Sequence, residues 1–338
     1  KKLQASSVKE VVIDIAKGLD VLEPDLAPAI EKPSEIKSTS IPVSTQETAV
    51  PPMRVSALEE QAQAKKIINA SKKAVTSMFH EVRMGKAVNQ QVAIKLVDDI
   101  AASVARNEGA LISLVRLKNK DDYTYMHSVA VCALMVSLAR ELGLSEAEIR
   151  QAGMAGLLHD IGKAGISMGV LNKPGALTDE EFTLVKEHPQ RGYVMLTQGQ
   201  VTDEAALDVC LHHHEKVNGM GYPHQLKAEE ISLFAKMGAV CDVYDAVTSN
   251  RPYKDGWEPG VSLQRMAQWS EQFDDTVFKA FVKSIGIYPI GSMVKLKSGR
   301  LAVVVDQSST SLLSPIVKVF FTTKTKSRIP VEVLDLSK

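Results

Sequence analysis

The sequence predicts a mainly α protein: one large all-helical domain, a small C-terminal β appendage and an N-terminal strand remnant. Three observations carry that expectation. Helix caps and helical apolar periodicity recur from Ser56 to Ile285. Short β-branched runs, separated by Ser- and Gly-containing turns, follow Gly286. Six prolines between Glu23 and Pro52 separate the helices from the first residues.

Each element has a local reason. Residues 8–22 read as a strand rich in branched side chains, followed by a turn at Gly18; alone it cannot bury its faces, so residues 1–22 are expected to end a small domain. Residues 23–55 form a Pro/Ser/Thr-rich linker. Ser56 with Glu59 is a capping box opening a helix to about Met84. Helical patterns cover Asn89–Arg106, Gly109–Leu117 and Asp121–Leu142. Ser145 and Glu148 cap the helix that runs into His159-Asp160, and Thr178 and Glu181 cap one broken at His188-Pro189. Helices are then expected near Asp203–His214, Ser232–Val247, Glu258–Phe273 and Asp274–Ile285. This 56–285 unit precedes a β-rich appendage at 286–338, with strands at Met293–Leu296, Leu301–Asp306, Ile316–Thr322 and Val331–Leu334.

Composition narrows the function. The 338 residues allow two domains at roughly 150 residues each. Lys plus Arg equals Asp plus Glu at 40 each, so the basic footprint of a duplex-binding protein is missing, although a local patch for a small charged ligand remains open. Cys132, Cys210 and Cys241 lie far apart in apolar helices and are expected to be reduced, buried hydrophobes in a cytoplasmic protein. No apolar run reaches the roughly 18 residues of a membrane span, and the basic N-terminus has no apolar signal region behind it. The chain starts without Met and is expected to be a fragment or a processed form.

The chemistry gathers around His159-Asp160-Ile161-Gly162-Lys163. Adjacent imidazole and carboxylate offer a neutral and an anionic metal ligand. A helical continuation would bring Lys163 onto the Asp160 face. Seven of the eight histidines lie from His127 to His224. His127 begins an apolar helical run, His159 and Asp160 end one, His188 stands at a break, and His213 and His214 close another. Asp242 lies inside an apolar helix, where an uncompensated carboxylate costs several kcal/mol. A lone core histidine is usually a satisfied hydrogen-bonding residue; seven such features in one helical domain are better explained by a shared cation. A His/Asp set without thiolate suits Fe, Mn, Zn or Ni.

His127, His159-Asp160 and Asp242 resemble the HD superfamily of metal-dependent phosphohydrolases. The inserted His188 and the stretch from His213 to Pro223, which contains Gly221-Tyr222-Pro223, resemble its HD-GYP subfamily, as do Leu171–Gly175 and Asn250–Lys254. The resemblance covers about residues 120 to 285 and implies hydrolysis of the bacterial second messenger cyclic di-GMP to pGpG and then GMP. It implies one metal held by His127, His159, Asp160 and Asp242, and a second held by bridging Asp160, His188, His213 and His214. His212 is read as a neighbour of the ligand pair, and His224 as a loop residue after Gly-Tyr-Pro. Two divalent ions are expected, Fe or Mn first and Zn or Ni next. Water activated between them would attack phosphorus in line. Lys163 would add positive charge or help protonate the leaving 3′-oxygen; its bland alternative is a solvated helix-end lysine. Arg251 and Lys254 would clamp phosphates, or form a surface turn. Gly219, Gly221 and Pro223 would shape a tight loop that lets the backbone at Gly221 approach the substrate, and Tyr222 would stack on guanine or pack within that loop.

Two positions depart from the family pattern. Tyr123 stands where three-metal members carry Glu, which favours two metals. Asn218 replaces the Asp before the Gly-Tyr-Pro stretch, keeping hydrogen-bonding shape while losing charge. The partners implied are cyclic di-GMP, a diguanylate cyclase (GGDEF) domain at the Gly-Tyr-Pro loop, and a second copy in a homodimer. The competing readings are a slow or inactive cyclic di-GMP receptor and a phosphodiesterase for another cyclic dinucleotide.

Overall fold

In the computed structural model, residues 55–115, 123–250, 255–269, 271–308 and 310–338 are described; the strand remnant and nearly all of the linker lie outside them. The helical part opens with α1 (Ala57–Arg83), where the Ser56 hydroxyl accepts the Glu59 N–H and the Glu59 carboxylate accepts the Ser56 N–H. Next come α2 (Gln90–Arg106), α3 (Glu108–Val115), α4 (Tyr123–Glu141) and α5 (Glu146–Leu158). A 3-10 turn (Ile161–Gly165) leads to α6 (Met168–Leu171), α7 (Asp179–Lys186), α8 (His188–Gln198), α9 (Glu204–His212) and α10 (Leu233–Thr248), then α11 (Pro259–Ala267) and α12 (Asp275–Ile285).

The expected capping boxes at Ser145 and Thr178 are formed, and Asn89, Asp203, Ser232 and Asp274 each accept a backbone N–H in the first turn of their helices. Each such cap contributes about 1 kcal/mol and fixes where its helix starts. Pro189 falls in the first turn of α8, where its missing N–H costs nothing, so the break after α7 is also a start. The break at His188-Pro189 gives no separate periodic signal for α8. The helix expected over Glu258–Phe273 stops at Ala267, and the Gln272 carbonyl accepts the Val217 N–H instead.

α4 is the axis. Every residue from Met126 to Ala139 is buried, so the helix has no solvated face. It packs against α5, α10, α1, α12, α2 and α3, and one contiguous core runs through them. His127 therefore sits inside the domain.

The appendage is a four-stranded antiparallel meander: β1 (Met293–Lys295), β2 (Arg300–Asp306), β3 (Ile316–Thr322) and β4 (Ser327–Asp335). It has its own small core of Val294, Ala302, Val304, Val317 and Val319. β4 begins four residues earlier than Val331, because Ser327 and Arg328 pair with Thr322 and Phe321. Pro330 falls in the irregular stretch of this edge strand, where a missing donor is tolerated.

Candidate metal centre

Five segments bring the polar residues together. His127 lies near the start of α4. α10 packs on α4 and carries Asp242 and Asp245 one turn apart. His159 ends α5, Asp160 precedes the 3-10 turn, His188 opens α8, and His213-His214 follow α9. The 3-10 turn and α8 approach closely because Gly162 has no side chain. A Cβ there would collide with the His188 carbonyl and stand 2.5 Å from the Gly192 nitrogen.

The donor atoms form overlapping groups in which all atoms lie within 4.8 Å of one another: His127, His159 and Asp242; His188, His213 and His214; and His159, Asp160 and His213. Asp160 stands between the first two groups. Its Oδ2 faces His127 Nε2 at 3.5 Å and His159 Nε2 at 3.3 Å, while Oδ1 faces His188 Nε2 at 3.2 Å and His213 Nε2 at 3.8 Å. One carboxylate thus presents a different oxygen to each set.

Backbone carbonyls fix the tautomers. His159 Nδ1 donates to Gly156 O at 2.8 Å, His188 Nδ1 to Val185 O at 2.7 Å, and His213 Nδ1 to Val209 O at 2.8 Å. A carbonyl only accepts, so the neutral rings turn Nε2 lone pairs inward. His188 Nε2 and His213 Nε2 then face one another at 3.3 Å, two acceptors that need a cation or a proton between them. His159 Nε2 and Asp160 Oδ1 are buried without a hydrogen-bond partner of acceptable geometry. Orphaned, converging acceptors with outer partners in place suit divalent cations.

The electrostatics agree. Burial pushes the Asp160 carboxyl up, but Lys163, at 2.5 Å from Oδ2, and the adjoining imidazoles more than offset it and hold its pKa well below the ordinary range. Asp242 is also raised by burial and brought well below its ordinary value, chiefly by His127 at 2.9 Å. Burial lowers His127, yet its bonds to Asp242 and Asp245 leave it raised. His213 is held well below its usual value by burial and neighbouring imidazoles, and burial brings His214 down to about 3. Both are neutral, as ligands must be.

The seven expected ligands converge, and Lys163 joins them through the i,i+3 register of the 3-10 turn. His212 is turned away, bonded through Nδ1 to Asp208 at 2.6 Å and through Nε2 to His224 at 3.0 Å. Tyr222 stacks on His214, with ring centroids 4.7 Å apart. Gly221 is buried against the backbone of Glu215 and Lys216, so its place is in loop packing rather than at an open ligand surface. Asn218 accepts the Met220 N–H at 3.0 Å, keeping the turn geometry expected of it. Arg251 and Lys254 lie outside the described residues, as does the side chain of Tyr123. The three cysteines are free and buried.

The pattern of the HD domain family matches residues 95–277, more than half of the chain. The chain belongs to the HD domain family. The HD domain runs from within α2 to within α12 and contains every residue of the centre. A second pattern, a domain of unknown function (DUF3391), matches residues 1–93 and so takes in the stretch expected to be a linker, all of α1 and the start of α2. The chain is 52% identical to a cyclic di-GMP phosphodiesterase of Pseudomonas aeruginosa over its whole length and 80% of that protein. It is 43% identical to the cyclic di-GMP phosphodiesterase response regulator RpfG of Xanthomonas campestris, over 43% of this chain and 39% of that one. A solved HDG"Y"P protein from Bdellovibrio bacteriovorus shares the fold, with a TM-score of 0.55 at 19% identity, covering 66% of this chain and 72% of the other.

Two buried carboxylates of this HD domain, absent from the sequence expectations, support the centre and its loop. Asp245 holds His127 Nδ1 at 2.6 Å. Its signal was available: a second acid one turn after Asp242 in an apolar helix. Glu215 is buried and accepts the N–H groups of His224, Gln225 and Leu226 at 2.6, 3.0 and 3.1 Å, anchoring the chain after Pro223. No local pattern announces that role, since the three donors belong to a loop folding back on it.

Proposed function

We infer that this chain is a phosphodiesterase that hydrolyses cyclic di-GMP to pGpG and then GMP. The observation that carries the reading is the Asp160 carboxylate shared between two His/Asp donor sets. The likeness to the Pseudomonas protein over the full chain supports the substrate. His127, His159, Asp160 and Asp242 would hold one divalent cation, and Asp160, His188, His213 and His214 a second. Iron or manganese suits this thiolate-free set first, with zinc and nickel next. When bound, the cations would supply an activated water and neutralise charge on the phosphodiester.

The chain's own residues do the rest. The carbonyl-bonded rings keep their Nε2 atoms aimed and cost no reorganisation. Lys163 Nζ holds a proton beside the centre, where it can reach the leaving 3′-oxygen through water. Its side chain and that of His214 are each 22% exposed, so substrate enters on their side. Arg251 and Lys254, read from the sequence, would clamp phosphates. Met220, 75% exposed at the Gly-Tyr-Pro loop, supports a GGDEF-domain contact there. Among the described residues no helix is long and apolar enough to cross a membrane, and a nucleotide second messenger as substrate supports a cytoplasmic site of action. Separate cores support a boundary between the helical unit and the 286–338 appendage.

The test is incubation of protein reloaded with Mn or Fe(II) with cyclic di-GMP, with products resolved by chromatography. Formation of pGpG or GMP by the parent, and by neither His159→Ala nor Asp160→Ala, is expected. Tight binding without product would replace the enzyme by a receptor.

A further inference from the structure

The open side of the centre carries three side chains that neither metal set uses. Tyr222 covers the His214 ring with planes 26° from parallel. Lys186, in the last turn of α7, places Nζ 5.8 Å from the Tyr222 ring centroid and 4.6 Å from that of Phe182, one turn earlier on the same face. Phe182 is 48% exposed. Among the described residues Lys186 pairs with no carboxylate, whereas Lys173 is tied to Glu181 of the same helix at 2.5 Å. That bridge ties the preceding loop to α7, and the Thr178 capping box fixes where the helix starts.

A half-open aromatic face beside an unpaired ammonium offers the two things a nucleotide takes: a stacking surface and a countercharge. When one phosphodiester of a cyclic dinucleotide occupies the centre, its other phosphodiester and its purines lie outside, next to His214. We propose that Phe182 and Lys186 form a purine-and-phosphate subsite, with Tyr222 as the wall between them and the centre. Phe182 stacks on one purine, and Lys186 binds the phosphodiester that is not cut. The subsite rests on the cyclic dinucleotide reading above, and it makes α7 a determinant of substrate choice.

Steady-state kinetics of the metal-loaded full chain test it, with Phe182→Ala, Lys186→Ala and Lys186→Arg on cyclic di-GMP and on bis(p-nitrophenyl) phosphate, which has neither purine nor second phosphate. Each alanine variant is expected to raise KM for cyclic di-GMP about tenfold or more, while kcat/KM for the small diester falls far less; Lys186→Arg keeps most of the affinity. A cyclic di-GMP KM within about twofold of the parent, or equal losses on both substrates, overturns the subsite and leaves the phosphodiesterase standing. A parent that cleaves the small diester but not cyclic di-GMP overturns the substrate reading, and the subsite with it.

Discussion

Asp245 Oδ2 lies 2.6 Å from His127 Nδ1, while Asp242 Oδ1 lies 2.9 Å from the Nε2 of the same ring. One imidazole is thus gripped from both ends by acids one turn apart on α10. Asp245 serves as the outer partner that orients His127, and Asp242 faces the centre with it. Asp245→Asn is expected to weaken binding of the cation that His127 is proposed to hold about 10- to 100-fold without unfolding the protein. Metal content after dialysis against graded chelator, read beside the melting temperature, checks this. Unchanged metal retention would remove Asp245 from the centre.

Asp160 and His212 make a contrasting pair. Asp160 is the carboxylate common to both sets, so Asp160→Ala should release metal from both and abolish phosphodiester cleavage. His212, bonded to Asp208 and His224, points away, and His212→Ala should keep the parent's metal content. Elemental analysis of the two purified variants decides. Metal lost in the His212 variant would contradict the assignment.

Gly162 sets the spacing between Asp160 and His188. Gly162→Ala forces a methyl into the α8 backbone, and overpacking of this kind costs about 1–3 kcal/mol. Urea titration should show that loss, accompanied by weakened metal binding as His188 moves from Asp160. Stability lost with metal binding intact would mean that the contact only supports the fold.

The depressed imidazoles predict a pH dependence for the chelator-treated protein. His213 is well below its ordinary value and His214 is down to about 3, so the unfolded chain takes up protons at about pH 6.5 that the folded chain refuses. Their contribution to stability is full above about pH 6.5 and is lost as pH falls below it. His127 works in the opposite sense: its raised value stabilises the fold below about pH 6.5 and is lost as pH rises through the folded value. Asp160 and Asp242, held well below 3.8, contribute no slope until stronger acid. Below about pH 6.5 the raised group adds no slope, so the two depressed groups give a melting temperature that drops as pH falls from about 6.5 to about 5. His214→Gln should flatten that slope, and an equally steep slope in the variant would place its origin elsewhere.

The parts of this protein whose causes are local are legible in its sequence. Helix starts at Ser56, Asn89, Ser145, Thr178, Asp203, Ser232 and Asp274 follow from side chains that reach a backbone N–H within three residues. The appendage follows from β-branched alternation, and the seven candidate ligands from polar groups set in apolar helices. Tertiary structure decided what depends on distant segments. Asp160 shows one oxygen to α4 and α5 and the other to α8 and α9, which requires Gly162 to meet α8. Asp245 becomes a ring holder only because α10 crosses α4, and Glu215 an anchor only because residues 224–226 fold back on it. Likewise Phe182 and Lys186 adjoin the centre because Tyr222 lies over His214. A carboxylate or an aromatic ring carries no record of its partner in its own neighbourhood of the chain; packing supplies it.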